Sequence, residues 1–447
     1  MSVATRVDDL FAWCEPDSPG AAAVICVDGA IRHACGYGLA NIEAPTAITP
    51  TTIFDACSIA KPFVALTITS LVSERRLDLD AALRSWIPEL PECMEGIALR
   101  HLLANTSGIR DFNSLAYLTG RTPSDLSSAG ILELLARQQR LNFQPGQGFL
   151  YSHSDYFLLA ICAERAAGRG FAALSHDRIF APLGMDRTSF LDDGGCAAVG
   201  YRSEEERFRR SASEFRRIGS GGLFSTVEDL ARWDRCLRQS SLGTVTDLYL
   251  AGVSSPARVG RGRQRFAFGL VLSADEGLST WGNGGAWDGY SAAFLHLPNG
   301  RVSAAILSNR GSLDAFRLAE QLIDIGLADT ADAKPGALSW SRLKSGPNIE
   351  VASAGAMTDG RTRDGSGLGE ALPALCHGAF YSEELDVFYE IDSDPRAAIV
   401  VHRGEDAVAL LDRDRVRIHV NEARERGVTI SAHNARHIQL WRVGPRS

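Results

Sequence analysis

The stretch "DACSIAKPF", residues 55–63, sets Ser58 three positions before Lys61. A hydroxyl and an amine at that spacing can perform nucleophilic acyl chemistry: the amine takes the seryl proton and the oxygen attacks a carbonyl. Only a nitrogen able to shed its proton suits the task. Arginine stays charged, whereas an amine withdrawn from water can become neutral. Of the 46 Lys plus Arg residues only Lys61, Lys334 and Lys344 are lysine. Codon bias accounts for that scarcity, but not for a lysine so close to a serine. Ser-x-x-Lys arises by chance in many chains, so its company matters. That company is Tyr151, in the Pro-Gly-rich approach "QPGQGFLYSHSDYFLLA", and the glycine-rich "WGNGGAWDGY", which leads into a strand.

The spacing brings the two groups together on a helix, where positions three apart share a face. "SIAKPFVALTITSLVSERRL" is apolar on nearly all sides, the pattern of a helix buried within a domain. Pro62 is tolerated only near the first turn, so the helix is expected to begin at or just before Ser58. Its N-terminus favours negative charge developing beside the serine. Upstream, "AAAVICVDGAIRHACGYGLAN" reads as two strands hinged at Asp28-Gly29. From about Leu83 to Leu250 the pattern is mainly helical with polar loops. "FAFGLVLS" and "SAAFLHLPNGRVSAAILSN" then read as strands, the latter turning at Asn299-Gly300. Strands at both ends with helices between predict one sheet assembled from the two ends of the domain and covered by helices. After Ala328 a segment rich in Gly, Ala, Ser and Asp reads as a linker or extended loop. The remainder, from "FYEI" through "AAIVVHR" and "AVALLDRDRVRIHV" to "IQLWRV", alternates short strands with turns and predicts a small all-β module. There is no internal repeat.

With 447 residues, 45% hydrophobic and 22% charged, the chain can bury a large core in two or three domains of about 150 residues each. A net charge of -8, without a compact basic cluster interleaved with aromatics, argues against nucleic-acid binding. No stretch approaches the ~18 apolar residues of a membrane span. The first twenty residues carry Asp8, Asp9 and Glu15 and no secretory apolar run, so with Met1 as the start a cytoplasmic location is expected. Nine scattered cysteines lack CxxC or Cys/His ligand spacing, which indicates neither a disulfide framework nor a zinc site. Cys57 reads as a small buried residue. Three lookalikes fail: "IGSGG" has Gly219 before its serine and reads as a flexible turn, and "GNGGAWDG" leads into a strand where a dinucleotide fingerprint opens a helix. "LDRDRV" lacks the glycine and glutamate of a calcium loop. No cofactor and no metal are expected.

Three further segments, "LRHLLANTSGIRDF", "IFAPLGMDRTSF" and "GSGGLFSTVEDLARW", occur in order with the lysine helix and the tyrosine segment. With these five matches the chain resembles the serine β-lactamase-related superfamily, close to class C β-lactamases, D-stereospecific aminopeptidases and related esterases, over about residues 15–325. The stretch from "GAFYSEELDVFYEI" to "VTISAHNARHIQLWRV" resembles the lipocalin-like β-domain of D-aminopeptidase-like members. The resemblance implies an α+β fold. A β-lactamase/transpeptidase-like domain, with an antiparallel sheet flanked by helices plus an all-helical subdomain, would span 1–328. A linker at 329–372 and a small antiparallel β-barrel-like domain at 373–447 would follow.

The resemblance also implies roles. Ser58 is the nucleophile, Lys61 the proton acceptor, and Tyr151 the relay to the leaving group and incoming acceptor. Backbone N–H groups of Ser58 and Ala286 form the oxyanion hole, where one donor is worth ~3 kcal/mol of barrier. His153, Asn283, Gly284 and Gly285 line the substrate. Two departures bear on substrate class. His153 replaces the asparagine of Tyr-x-Asn; it titrates near neutrality, or else merely packs beside the pocket. Asn283-Gly284-Gly285 replaces a motif that opens with Lys or His, so the cation that faces a substrate carboxylate is missing. Amides, esters or N-terminal residues suit such a site better than β-lactams or free C-termini. The expected function is a serine hydrolase of aminopeptidase or amidase type, forming an acyl-enzyme on small peptide-like amides, with D-residues implied by the C-terminal resemblance. Alternatives are an esterase or an acyl-transferring, peptide-cyclising thioesterase of penicillin-binding-protein type, and, in another class, a catalytically degraded binding protein. The expected partner is a small-molecule or short-peptide substrate; oligomeric state stays open.

Overall fold

The computed structural model describes residues 1–190, 198–204, 207–211, 218–254, 257–258, 265–275, 278–298, 301–330, 378–391, 399–403, 406–411, 416–420, 427–432 and 435–442. The turn at Asn299-Gly300 and the linker from residue 331 onward lie outside them. Two compact units divide the chain. The first takes in Met1–Asp80, Leu102–Ala104 and the described part of Tyr156–Thr358; the second takes in Ala81–His101, Asn105–Asp155 and the described part of Asp359–Ser447.

The first unit is built on an eight-stranded sheet. Its strands are β1 (Ala21–Val27), β2 (Ala30–Tyr37), β3 (Ala257–Arg258), β4 (Arg265–Ala267), β5 (Leu270–Asp275), β6 (Leu278–Trp287), β7 (Tyr290–His296) and β8 (Val302–Ser308). The order is β3-β4-β5-β6-β7-β8-β1-β2 and every pairing is antiparallel. As the sequence predicts, the two ends of the unit meet inside the sheet: β1 pairs with β8 from Ala21↔Ser308 to Val27↔Val302. Asp28 and Gly29, at φ 53° and 77°, form the tight turn that matches strand twist in a two-residue hairpin.

Both faces of the central strands are covered, which is why β1, β7 and β8 read as nearly continuous apolar runs rather than alternating ones. Helices α1 (Val3–Leu10) and α4 (Ala315–Leu327) bury Val3, Val7, Leu318 and Leu322 against Ala23, Ile25, Leu295 and Ile306 on one face. On the other, Trp233 of α3 (Val227–Gln239) packs on Phe294 with ring centroids 4.3 Å apart. Phe63 of α2 (Ala60–Ser73) lies tilted against Trp233 in turn, with centroids 4.7 Å apart. This column of rings anchors α2, whose residues from Ala60 to Leu71 are all buried.

In the second unit Asp111 caps the helix Phe112–Leu118, and the helix Ser128–Ala136 starts at a Ser127 cap. Seven C-terminal strands form one sheet in the order Asp406–Leu411, Ile399–Arg403, Val387–Ile391, Gly378–Ser382, Ala435–Arg442, Gly427–Ala432, Val416–Val420. The first and last of these strands in chain order, Gly378–Ser382 and Ala435–Arg442, pair antiparallel in the middle of the sheet. Glu384 in the first turn of this module forms a buried ion pair with Arg110 at 2.5 Å, and the Tyr389 hydroxyl donates to Leu118 O at 2.8 Å. Among the described residues no helix is long and apolar enough to cross a membrane.

Candidate active site

Ser58 lies in a short 3-10 turn, Cys57–Ile59, and α2 proper begins at Ala60, slightly later than the sequence predicts. The cause is Cys57, held left-handed at φ 51° while the Asp55 carboxylate accepts its N–H at 2.7 Å. A non-glycine residue there is strained by about 1 kcal/mol or more. Burial pushes the Cys57 thiol well above its ordinary value, in keeping with a packing role. Lys61 and Pro62 are the second and third residues of α2, where backbone N–H groups have no intrahelical partner, so proline costs little.

Ser58 and Lys61 are both buried, Lys61 completely. Lys61 Nζ donates to Ser58 Oγ at 3.1 Å and to the Ser220 carbonyl at 2.9 Å. It also stands 5.8 Å from the centroid of the Tyr156 ring, whose hydroxyl donates to Leu103 O at 2.9 Å. Gly219, at φ 96°, lets the Ser220 carbonyl approach: a β-carbon there would lie 2.3 Å from Tyr156 O. The "IGSGG" turn therefore supplies a contact that sequence reasoning set aside, through backbone that no side-chain pattern reveals.

The glycine-rich segment lies within β6 rather than leading into a strand. The close approach of the serine turn demands it, since a β-carbon on Gly285 would sit 2.4 Å from Cys57 Cβ and 2.7 Å from Ser58 N. Asn283 shares that face of the strand. Expected to face substrate, its buried amide is instead spent on Ser58 O at 2.8 Å and Gly269 O at 2.7 Å. Pro62 cannot give Ser58 O the N–H that a helix would supply from four residues on, and the Asn283 amide takes that place. Gly284, also expected beside substrate, falls on the opposite face, where a β-carbon would meet Phe316 at 3.3 Å.

The direction of the Ala286 N–H follows from register. Asp288 and Gly289 close a two-residue hairpin on Trp287↔Tyr290, the pair that exchanges ladder hydrogen bonds. The next pair, Ala286↔Ser291, therefore turns its N–H toward the other edge. On that edge the ladder with β5 stops at Gly282, short of Ala286.

Tyr151 and His153 fall in the second unit. Tyr151 is buried and lies two residues before the start of the helix His153–Ala167. Its ring stands at 89° to that of His153 with centroids 5.4 Å apart. One Asp111 oxygen accepts the His153 N–H at 2.5 Å and lies 3.1 Å from its Nδ1. Asp155 accepts from Ser107 Oγ at 2.7 Å and Asn105 Nδ2 at 3.0 Å; burial outweighs these donors and lifts its pKa to about 7. Sequence reasoning missed Asp111, although an aspartate before "FNSLAYL" reads as a helix cap. Among the described residues no group of three His, Cys, Asp or Glu side chains is placed to hold a metal.

The sequence profile of the Beta-lactamase family matches residues 5–327. The chain belongs to the Beta-lactamase family. Relatives within it include the D-aminopeptidase of Gluconobacter oxydans, 29% identical over 303 residues, which are 66% of this chain and 56% of that protein. The chain thus matches little more than half of that relative's length. The octameric penicillin-binding protein homologue from Pyrococcus abyssi is similar in structure, with TM-score 0.65 and 20% identity, over 98% of this chain and 99% of that one. A D-stereospecific amidohydrolase from Streptomyces sp. gives TM-score 0.59 and 20% identity over 74% and 100%. The β-lactamase fold, an antiparallel sheet with helices on both faces, is common to them.

Proposed function

We propose that the protein is a serine amidohydrolase of aminopeptidase type, acting through an acyl-enzyme on small peptide-like amides. The observation that carries this reading is the 3.1 Å approach of Lys61 Nζ to Ser58 Oγ within a buried turn. An amine cut off from water holds its proton less readily, which suits a base. Lys61 takes the Ser58 proton as Oγ bonds to the carbonyl carbon, and the oxyanion is met by the N–H groups of Ser58 and Ala286. Tyr151 delivers a proton to the leaving nitrogen and the C–N bond breaks. Water then attacks the ester and passes a proton to the same groups; the C–Oγ bond breaks, Ser58 Oγ takes that proton back, and the acid leaves.

The commitment of Asn283 to two backbone carbonyls leaves that position no donor for a substrate carboxylate, which supports substrates that are neutral there. The D-preference rests on the name of the Gluconobacter oxydans relative. A panel of D- and L-alanyl p-nitroanilides, p-nitrophenyl esters and a peptidyl thioester, each run against Ser58→Ala, tests the reading. Amide turnover favouring the D-isomer and lost in Ser58→Ala is expected. Ester turnover without any amide turnover would make the protein an esterase, and a cyclised thioester product would make it an acyl transferase.

A further inference from the structure

Lys61 and Tyr156 are both fully buried and both belong to the first unit. The ring of Tyr156 turns its face to the lysine, with Nζ 5.8 Å from the ring centroid, within the range of a cation–π contact. That face is held in place. The Tyr156 hydroxyl donates to Leu103 O at 2.9 Å, and the Phe266 ring stands at 87° to the Tyr156 ring with centroids 6.2 Å apart. Leu103 O also accepts the Phe268 N–H at 3.0 Å, so it keeps a donor if the hydroxyl is removed. Gly219 approaches Tyr156 O so closely that a β-carbon would not fit, and the next residue, Ser220, offers its carbonyl to Lys61 Nζ at 2.9 Å. The same tyrosine thus meets the lysine with its ring and supports the lysine's carbonyl partner with its backbone.

A lysine that accepts the Ser58 proton becomes an ammonium ion cut off from water, and a buried charge is costly unless its neighbours meet it. As Ser58 Oγ bonds to the carbonyl carbon it becomes a poorer acceptor, at the moment Nζ gains its extra hydrogen. The Ser220 carbonyl and the ring face are unchanged by that step. A carboxylate in the place of the ring would hold the lysine charged and idle as a base. The negative face of a ring is a weaker partner, which shifts a protonation balance by about tenfold. We infer that Tyr156 is a positioning residue for the reaction: its ring face steadies the ammonium that Lys61 becomes on taking the Ser58 proton, and releases the amine again when the proton moves on. The other ionisable groups of the serine turn are Asp55 and Cys57. One Asp55 oxygen accepts the Cys57 N–H at 2.7 Å, and burial together with Asp55 keeps Cys57 a thiol against the pull of Lys61. This inference rests on the proposed role of Lys61 as base, and its test is chosen to fail separately from that role.

The chain has only three lysines, Lys61, Lys334 and Lys344, so the full-length protein labelled with 13C at lysine Cε gives three signals whose shifts report the charge of each amine. Lys61→Arg identifies the Lys61 signal by its loss. With Tyr156→Phe as the reference, phenylalanine analogues carrying one, two and three ring fluorines keep the shape of the side chain and weaken its negative face in steps. The titration midpoint of Lys61 should fall in step with the fluorines, by about one pH unit at three, while the other two lysines hold theirs. The sign follows from the contact: a weaker face favours the ammonium less, so the proton leaves at lower pH. The rate at which a fluorophosphonate labels Ser58 should show its acid limb moving down by the same amount, whereas a ring that only packs would leave the limb in place. A Lys61 midpoint that is equal in Tyr156→Phe and its trifluoro analogue, or a Lys61 that does not titrate, overturns the inference. A wild type that no serine-directed probe labels at Ser58 refutes the acyl-enzyme reading, while the lysine titration still decides the role of Tyr156.

Discussion

Asn283→Ala should loosen the serine turn by a predictable amount. The substitution removes the donor that reaches Ser58 O at 2.8 Å and Gly269 O at 2.7 Å, both in a buried setting. Losing two buried hydrogen bonds, each worth up to about 1.5 kcal/mol net, costs about 3 kcal/mol. A unit of roughly 300 residues unfolds with an entropy near 0.6 kcal/mol per degree, which converts the loss to a Tm drop of about 5 °C. Calorimetry reads the stability, and the rate of Ser58 acylation by a phosphonate probe reads the geometry. That rate should fall by one to two orders of magnitude, since Ser58 loses one of its restraints. Pro62→Ala in the same background should recover about 1 kcal/mol, because it restores a backbone N–H four residues after Ser58. A Tm within about 1 °C of wild type, or no recovery with Pro62→Ala, would refute the bridging role.

Two further outcomes follow from buried charges in the second unit. In the folded chain burial keeps Asp155 protonated up to about pH 7, whereas unfolded it loses its proton near pH 4. The stability that proton carries is complete below about pH 4 and is lost as pH rises through 7, some 4 kcal/mol for three units at ~1.4 each. Asp155→Asn should therefore flatten the stability profile between those pH values, and equal slopes for the two proteins would contradict the shift. Burial also pushes Glu384 up and Arg110 down despite their mutual attraction, so the pair does not recover its desolvation. Glu384→Ala should cost about 3–5 kcal/mol in urea unfolding, and Arg110→Met with Glu384→Leu should return to within about 1 kcal/mol of wild type. A double variant as unstable as the single one would refute that reading.

The parts of the site that were legible in the sequence are those set by local geometry. Ser58 and Lys61 meet because three positions along a helical turn bring side chains together, and Asp28-Gly29 turns because both residues tolerate positive φ. The sheet built from both ends of the unit followed from where apolar runs fall along the chain. What escaped depends on register between distant segments. Asn283 reaches Ser58 across 225 positions, and only the alternation of β6 tells which of Asn283 and Gly284 shares a face with the serine turn. The Ser220 carbonyl is backbone and leaves no residue-type signature. The late start of α2 turns on a left-handed Cys57, a conformation that cysteine as a residue type does not advertise.

In the proposed mechanism Ser58 is the group that becomes acylated and Lys61 is its base. Intact-mass and peptide-mapping spectrometry after exposure to a fluorophosphonate tests both at once. A single adduct on the peptide holding Ser58 is expected, absent in Ser58→Ala and formed at least about a hundredfold more slowly in Lys61→Arg, which keeps the cation but gives up the base. An adduct that persists in Ser58→Ala, or forms at the wild-type rate in Lys61→Arg, would contradict it.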